Sequence, residues 1–155
     1  MPRAEYLTRK FGNPKGNYAR VTAAGAGIGI PFAFDRITVQ PNTVDAHRLL
    51  TYADREGRQD ETAEALFRAY FTEGADLTDR ARLAEIARQA GLDRDAVAAY
   101  LATDQDRAEV LEADSSARSS GMVDGVPFFI FNRKLGVPGA QEAATLLDAL
   151  EQSLA

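Results

Sequence analysis

Apolar residues recur every three or four positions through most of the chain, the period of an amphipathic helix. Arg3 to Phe11 reads as a short helix that stops at Gly12-Asn13-Pro14. A second runs from about Lys15 to Ala26, and Gly25, Gly27 and Gly29 suit a helix exit. Ile30 to Phe34 is a short extended piece, an edge strand at best because Pro31 has no amide proton. From Pro41 the pattern is strongly helical. Asn42 or Thr43 caps a helix with Ala46, Leu49, Leu50 and Ala53 on its apolar face and Gly57 past its end. The helix after Asp60 carries Ala63, Leu66, Phe67, Tyr70 and Phe71, an aromatic stripe expected in the core, and Gly74 stops it. Thr78 is expected to cap the next helix, with Leu83, Ile86, Ala87 and Ala90 on one face and Gly91 at its end. Asp93 caps one carrying Val97, Tyr100 and Leu101. The last of this run spans about Asp104 to Ser119 and is expected to turn Val110, Leu111 and Ala117 inward. Connections of about two to six residues predict an antiparallel helical cluster.

The pattern changes at Gly121. Val126 to Phe131 is a continuous apolar run rich in β-formers, which predicts a strand buried on both faces. Asn132-Arg133-Lys134 is a turn, and Leu135 to Val137 returns as a short strand. Pro138-Gly139 leads into a last helix, Ala140 to Leu154, with Ala144, Leu147, Ala149 and Leu150 available for packing. The chain therefore divides into a helical domain, residues 1–120, and a β-hairpin plus helix, residues 121–155. A lone hairpin is marginal. One helix covers only one of its faces, so the pattern contains half a sheet, whose remainder is missing or comes from another chain.

Composition narrows the chemistry. At 155 residues and 45% apolar the chain can bury a real core, and wholesale disorder is excluded. Eighteen Lys and Arg against 23 Asp and Glu, a net charge of −5, argue against a general nucleic-acid binder. No apolar run approaches the roughly 20 residues of a membrane helix. The opening MPRAEYLTRKFGNPKG lacks the apolar core of a signal peptide, so a cytoplasmic location is expected. There is no cysteine, which excludes a disulfide, a thiolate metal site and a cysteine nucleophile within these residues. The single histidine, His47, excludes a His-rich metal site. It flanks the Ala46, Leu49, Leu50 stripe without a carboxylate at triad spacing, so it receives no catalytic role. Asp93/Asp95 and Asp104/Asp106 sit at helix starts, where capping explains them. No calcium loop is present. No catalytic or metal-ligating residue is expected in this chain.

One combination of strings is specific. Gly125-Val126-Pro127-Phe128-Phe129 with Asn132 and Gly136-Val137-Pro138-Gly139-Ala140-Gln141 resembles the closing half of a thioredoxin-fold domain. With Asn42-Thr43, Ala46-His47-Arg48-Leu49 and Leu66 to Phe71, the chain from about Tyr6 to Leu150 resembles the DsbA-like family. Within it the likeness is to the FrnE-type dithiol-disulfide oxidoreductases, relatives of 2-hydroxychromene-2-carboxylate isomerases and kappa-class glutathione transferases. The resemblance implies an α+β, mostly helical fold: a DsbA-like thioredoxin fold with a helical insertion, lacking the first strand-helix-strand unit and its Cys-x-x-Cys pair. An internal start or a gene fragment is the expected reason; the alternative is a natural chain that pairs its open sheet edge with a partner or with itself.

The same resemblance implies the site. Val126-Pro127 corresponds to a cis peptide beside the redox thiols, where the N–H and C=O before the proline pair with a substrate as an added strand would. Pro138 and Gly139 lie at a corner that receives a carboxylate in the glutathione-using relatives; a plain helix start with Pro near its first position is the competing reading. The implied substrate is a disulfide-containing protein or a small thiol. Glutathione enters only under the alternative of an isomerase or transferase. A non-catalytic binding module, or a homodimer joined through the open edge near Phe129, is the third reading. No nucleic acid and no membrane are expected as partners.

Overall fold

The computed structural model describes residues 1–12, 15–119 and 126–154. Among them are helices α1 (Arg3–Phe11), α2 (Lys15–Gly27), α3 (Val44–Arg55), α4 (Gln59–Phe71), α5 (Arg80–Gln89), α6 (Arg94–Ala102) and α7 (Arg107–Ser119). Strands β1 (Phe128–Phe131) and β2 (Leu135–Pro138) and helix α8 (Ala143–Leu154) complete the order. The chain forms two compact units, Met1–Val110 and Leu111–Ala155. The domain boundary expected at 120/121, and Asn13-Pro14 of the first expected stop, lie outside the described residues. The class is α+β and mostly helical. No helix among the described residues is long and apolar enough to cross a membrane.

In the first unit α3, α4, α5 and α6 pack around Leu49, Ala53, Leu66, Leu83, Ile86 and Leu101. Local chemistry sets where they begin. Asn42 supplies the bond at the start of α3, its Oδ1 accepting from Val44 N at 3.0 Å, while Thr43 holds the cap position without a side-chain bond. Asp93 Oδ1 accepts from Ala96 N at 2.8 Å and opens α6. For α5 the capping residue is Asp79 rather than Thr78: Asp79 Oδ1 accepts from Ala81 N at 2.8 Å and Arg82 N at 3.3 Å. Thr78 instead donates its amide and its hydroxyl to Asp76. The N-terminal segment is tied in by Arg3 N donating to Thr38 O and Gln40 N donating to Met1 O.

Three further expectations change. Ile30 to Phe34 forms no strand; Pro31 interrupts it, Ala33 N donates to Phe71 O at 2.8 Å, and a 3₁₀ turn follows over Phe34–Arg36. The α4 stripe is wider than the face that α4 buries: Leu66, Ala69 and Tyr70 are in the core, Phe71 is half-buried, and Phe67 is 61% exposed. α7 starts at Arg107 and carries no buried residue; Val110 is half-buried, Leu111 and Ala117 are exposed. Glu109, Glu112 and Asp114 interrupt its apolar positions, leaving too narrow a stripe to bury.

The most buried large side chain is an arginine. Arg48 on α3 has no solvent exposure. Its Nε donates to Gln105 O at 2.8 Å, Nη2 to Thr103 O at 2.7 Å and Tyr100 O at 3.2 Å, and Nη1 to Asp45 Oδ1 at 2.8 Å. The guanidinium also lies 5.1 Å from the Tyr100 ring centre. The Tyr100 hydroxyl is 3.0 Å from Arg48 O and 2.6 Å from Asp106 Oδ2, which also accepts from Arg55 Nη2 at 2.6 Å. Arg80 Nε donates to the second Asp45 oxygen at 2.7 Å. Burial alone would raise the Asp45 carboxyl, but the bonds from Arg80 and Arg48 outweigh it and hold it below its ordinary value. The Arg55 and Tyr100 hydrogen bonds lower Asp106 likewise. Burial, helped by the Asp106 carboxylate, pushes the Tyr100 hydroxyl up to about 12.

Two outcomes follow from this network. Arg48→Met strands the carbonyls of the 100–105 segment and Asp45, and is expected to lower stability by about 3–5 kcal/mol in urea unfolding; Arg48→Lys is expected not to restore it, because an ammonium cannot reach that fork of acceptors. The lowered carboxyls contribute stability above their unfolded value of about 4, lost as pH falls below it. The raised Tyr100 contributes stability below about 10, lost as pH climbs from there toward about 12. Unfolding midpoints against pH, with tyrosine absorbance read alongside, are expected to decline at both ends; a flat alkaline limb contradicts the Tyr100 assignment.

Candidate functional site

The second unit holds the expected site. β1 and β2 pair antiparallel in the register Phe128↔Pro138, Phe129↔Val137, Ile130↔Gly136 and Phe131↔Leu135. Asn132 and Arg133 adopt φ of +49° and +56° and close the turn, a left-handed pair that matches the twist of a hairpin. Asn132 tolerates that region better than most residues, and its side chain does more: Nδ2 donates to Ser153 Oγ at 3.1 Å and Ser153 O at 3.3 Å. The turn is thereby fastened to α8, where Ala149 and Ser153 are the buried residues. Gly136 admits the Phe128 ring across the ladder, since a Cβ there would stand 2.8 Å from Phe128 Cζ.

The strand expected to be buried on both faces is not. No β1 residue is fully buried, and Ile130 is 56% exposed. The sheet has two strands among the described residues, and α8 packs against both. α8 begins at Ala143, not Ala140, and its Ala144, Leu147 and Leu150 are exposed. Pro138 is consequently the last residue of β2, not a residue of the first helical turn. Gly139 and Ala140 make a bend, and Gln141 Nε2 folds back to donate to Pro138 O at 2.8 Å.

These turns bring Val126, Pro127, Pro138 and Gly139 to one corner. The Val126–Pro127 peptide is cis. Pro127 O accepts from Gly139 N at 2.8 Å, one step beyond the Phe128–Pro138 pair. Val126 stands 91% exposed at the mouth of the hairpin. Gly125, the residue before it in the family-like string, lies outside the described residues. Val126, Pro127, Pro138 and Gly139 offer this corner backbone groups and apolar surface, and none of the four is an acid, a base or a nucleophile.

Elsewhere the expected candidates have structural roles. His47 is exposed on α3, its Nδ1 2.7 Å from Thr43 O one turn back. Asp93 caps a helix and Asp106 accepts from Tyr100 and Arg55. No group of three or more His, Cys, Asp or Glu among the described residues could hold a metal ion. The first unit also holds an apolar cleft of about 650 Å³, walled by Ile30, Phe32, Phe34, Phe67 and Phe71. Its one sequence signal was the density of aromatics between Phe32 and Phe71, which periodicity alone assigns to the core.

Comparison with known proteins gives two findings. Residues 12–151 match the DSBA-like thioredoxin domain. The fold is similar to the crystal structure of a probable DsbA oxidoreductase from Streptomyces coelicolor, with a TM-score of 0.86 and 32% sequence identity. That likeness covers 99% of this chain and 68% of the other. No curated protein shows significant similarity to the sequence.

The fastening of the hairpin to α8 is directly testable. Asn132→Ala removes both bonds to Ser153 and places a less tolerant residue at positive φ. It is expected to lower the stability of the second unit by about 1–2 kcal/mol, read as faster amide exchange in β1, β2 and α8; unchanged exchange there contradicts the assignment.

Proposed function

The chain belongs to the DSBA-like thioredoxin domain family, and from that premise we propose that it works as the helical insertion and closing half of a FrnE-type thiol-disulfide oxidoreductase or isomerase. The observation that carries this reading is the 32% identity to a probable DsbA oxidoreductase maintained over 99% of the chain. In such chemistry one thiolate attacks a substrate disulfide, forms a mixed disulfide and expels the other sulfur as a thiolate; a second thiol then resolves the pair. With no cysteine among 155 residues, the proposal places both thiols outside them, in sequence preceding Met1. The substrate is a disulfide-containing protein or a small thiol, in a cytoplasmic setting.

The residues present have the substrate-holding part. A two-stranded sheet leaves one edge of β1 without a partner strand among the described residues, and such an edge accepts an extended segment through main-chain hydrogen bonds. Val126, open to solvent, begins that edge. Pro138 and Gly139 brace it from below through the Pro127–Gly139 bond. None of these groups reacts; their work is to bind and orient.

The test has two arms. In an insulin-reduction assay the purified 155-residue protein is expected to give no rate above the small-thiol background; turnover equal to that of a cysteine-bearing relative overturns the proposal. In the genomic sequence, the reading frame continued upstream of Met1 is expected to encode Cys-x-x-Cys. A single Ser in its place moves the protein to the glutathione-dependent isomerase or transferase reading. A frame closed by a stop leaves a binding or self-pairing module and overturns the redox proposal.

A further inference from the structure

The cleft in the first unit is built like a ligand site and belongs to no part of the redox reading. We propose that it binds an uncharged, ring-bearing apolar small molecule. Four phenylalanine rings supply the walls: Phe32 and Phe34 lie face to face at 5.0 Å, Phe71 stands edge-on to Phe32 at 5.9 Å, and Phe67 projects from α4. These rings pack on one another, and the aromatic surface they turn to the cleft favours a further ring laid against it. The volume of about 650 Å³ lies inside the range of about 300–1,000 Å³ usual for small-molecule sites.

The walls are set before any ligand arrives. Ile30 N donates to Gly25 O at 2.8 Å and Ala33 N to Phe71 O at 2.8 Å, so both ends of the Ile30–Ala33 stretch are pinned, one to α2 and one to α4. Pro31 stiffens what lies between them. Gly25 gives the Phe32 ring its place against α2, for a Cβ there would stand 2.5 Å from the ring. Phe67 and Val21 remain 61% and 42% exposed on opposite walls, apolar surface that the chain itself does not cover. A pre-formed apolar pocket loses little ordering entropy when filled.

Size and charge select the occupant. Eleven residues line the cleft, whereas a protein interface engages about 20–30 on each side. At the rim Glu64 and Arg68 face each other at 3.5 Å and cancel, which leaves no net charge for an ionic ligand to meet. Burying a charge among phenylalanines would be costly, so the ligand is neutral.

The test uses the neutral fluorophore N-phenyl-1-naphthylamine and the full 155-residue protein. Saturable binding of one equivalent per chain is expected. Phe67→Asp, and independently Val21→Asp from the opposite wall, are expected to weaken it at least about tenfold, with far-UV circular dichroism unchanged. Leu147→Asp, an equally exposed apolar position on α8, is expected to leave it as it was. Absent or unsaturable binding, or equal loss in all three variants, overturns the proposal. So does self-association in sedimentation that Phe67→Asp abolishes, because a second copy would then be the occupant. The probe needs no thiol, so this result and the redox proposal stand or fall separately.

Discussion

A guanidinium taken wholly out of water must find a partner for nearly every N–H, and that requirement organises the first unit. Arg48 meets it with three carbonyls from the stretch between Tyr100 and Gln105 and with one carboxylate oxygen of Asp45. α3 therefore cannot slide or rotate against the end of α6 without exposing a charge to an apolar interior, a penalty of several kcal/mol. Tyr100 closes the arrangement from the other side, its ring beneath the guanidinium and its hydroxyl bridging to Asp106. Arg80 reaches Asp45 from the start of α5, so three helices converge on a buried arginine and its half-buried carboxylate.

Helices were legible in the sequence where the deciding chemistry is local. The stop at Gly12 bounds α1 and the Asp93 cap opens α6 where the chain has them, and the turn after Phe131 reads from Asn132, a residue that tolerates positive φ. Arg48 was illegible because three of its four acceptors are carbonyls 52 to 57 positions further along the chain. No side-chain pattern marks a backbone acceptor. Phe67 was misplaced because a stripe of aromatics looks the same whether it faces a core or a cleft. The aspartate after Thr78 caps α5 because Asp76 competes for the threonine hydroxyl, a choice between neighbours that residue type does not resolve.

The corner of the hairpin was legible as a place and not as a surface. Its prolines and glycines act on the backbone, and the hairpin register with the Gly139–Pro127 bond brings the two ends of the string together. Exposure depends on what covers the sheet, and here α8 alone packs on it among the described residues. An apolar strand with Ile130 more than half exposed is unusual in a finished sheet. In the proposed reading the hairpin edge holds the substrate, while the electrons move through thiols located elsewhere in the polypeptide.

That division of labour requires thiols beyond these 155 residues. The intact mass and thiol content of the protein from its native cell test it most directly. The account predicts a mass several kilodaltons above the 16.8 kDa of these residues, with two thiols that react with an alkylating reagent after reduction. A native protein of 16.8 kDa with no thiol would contradict it.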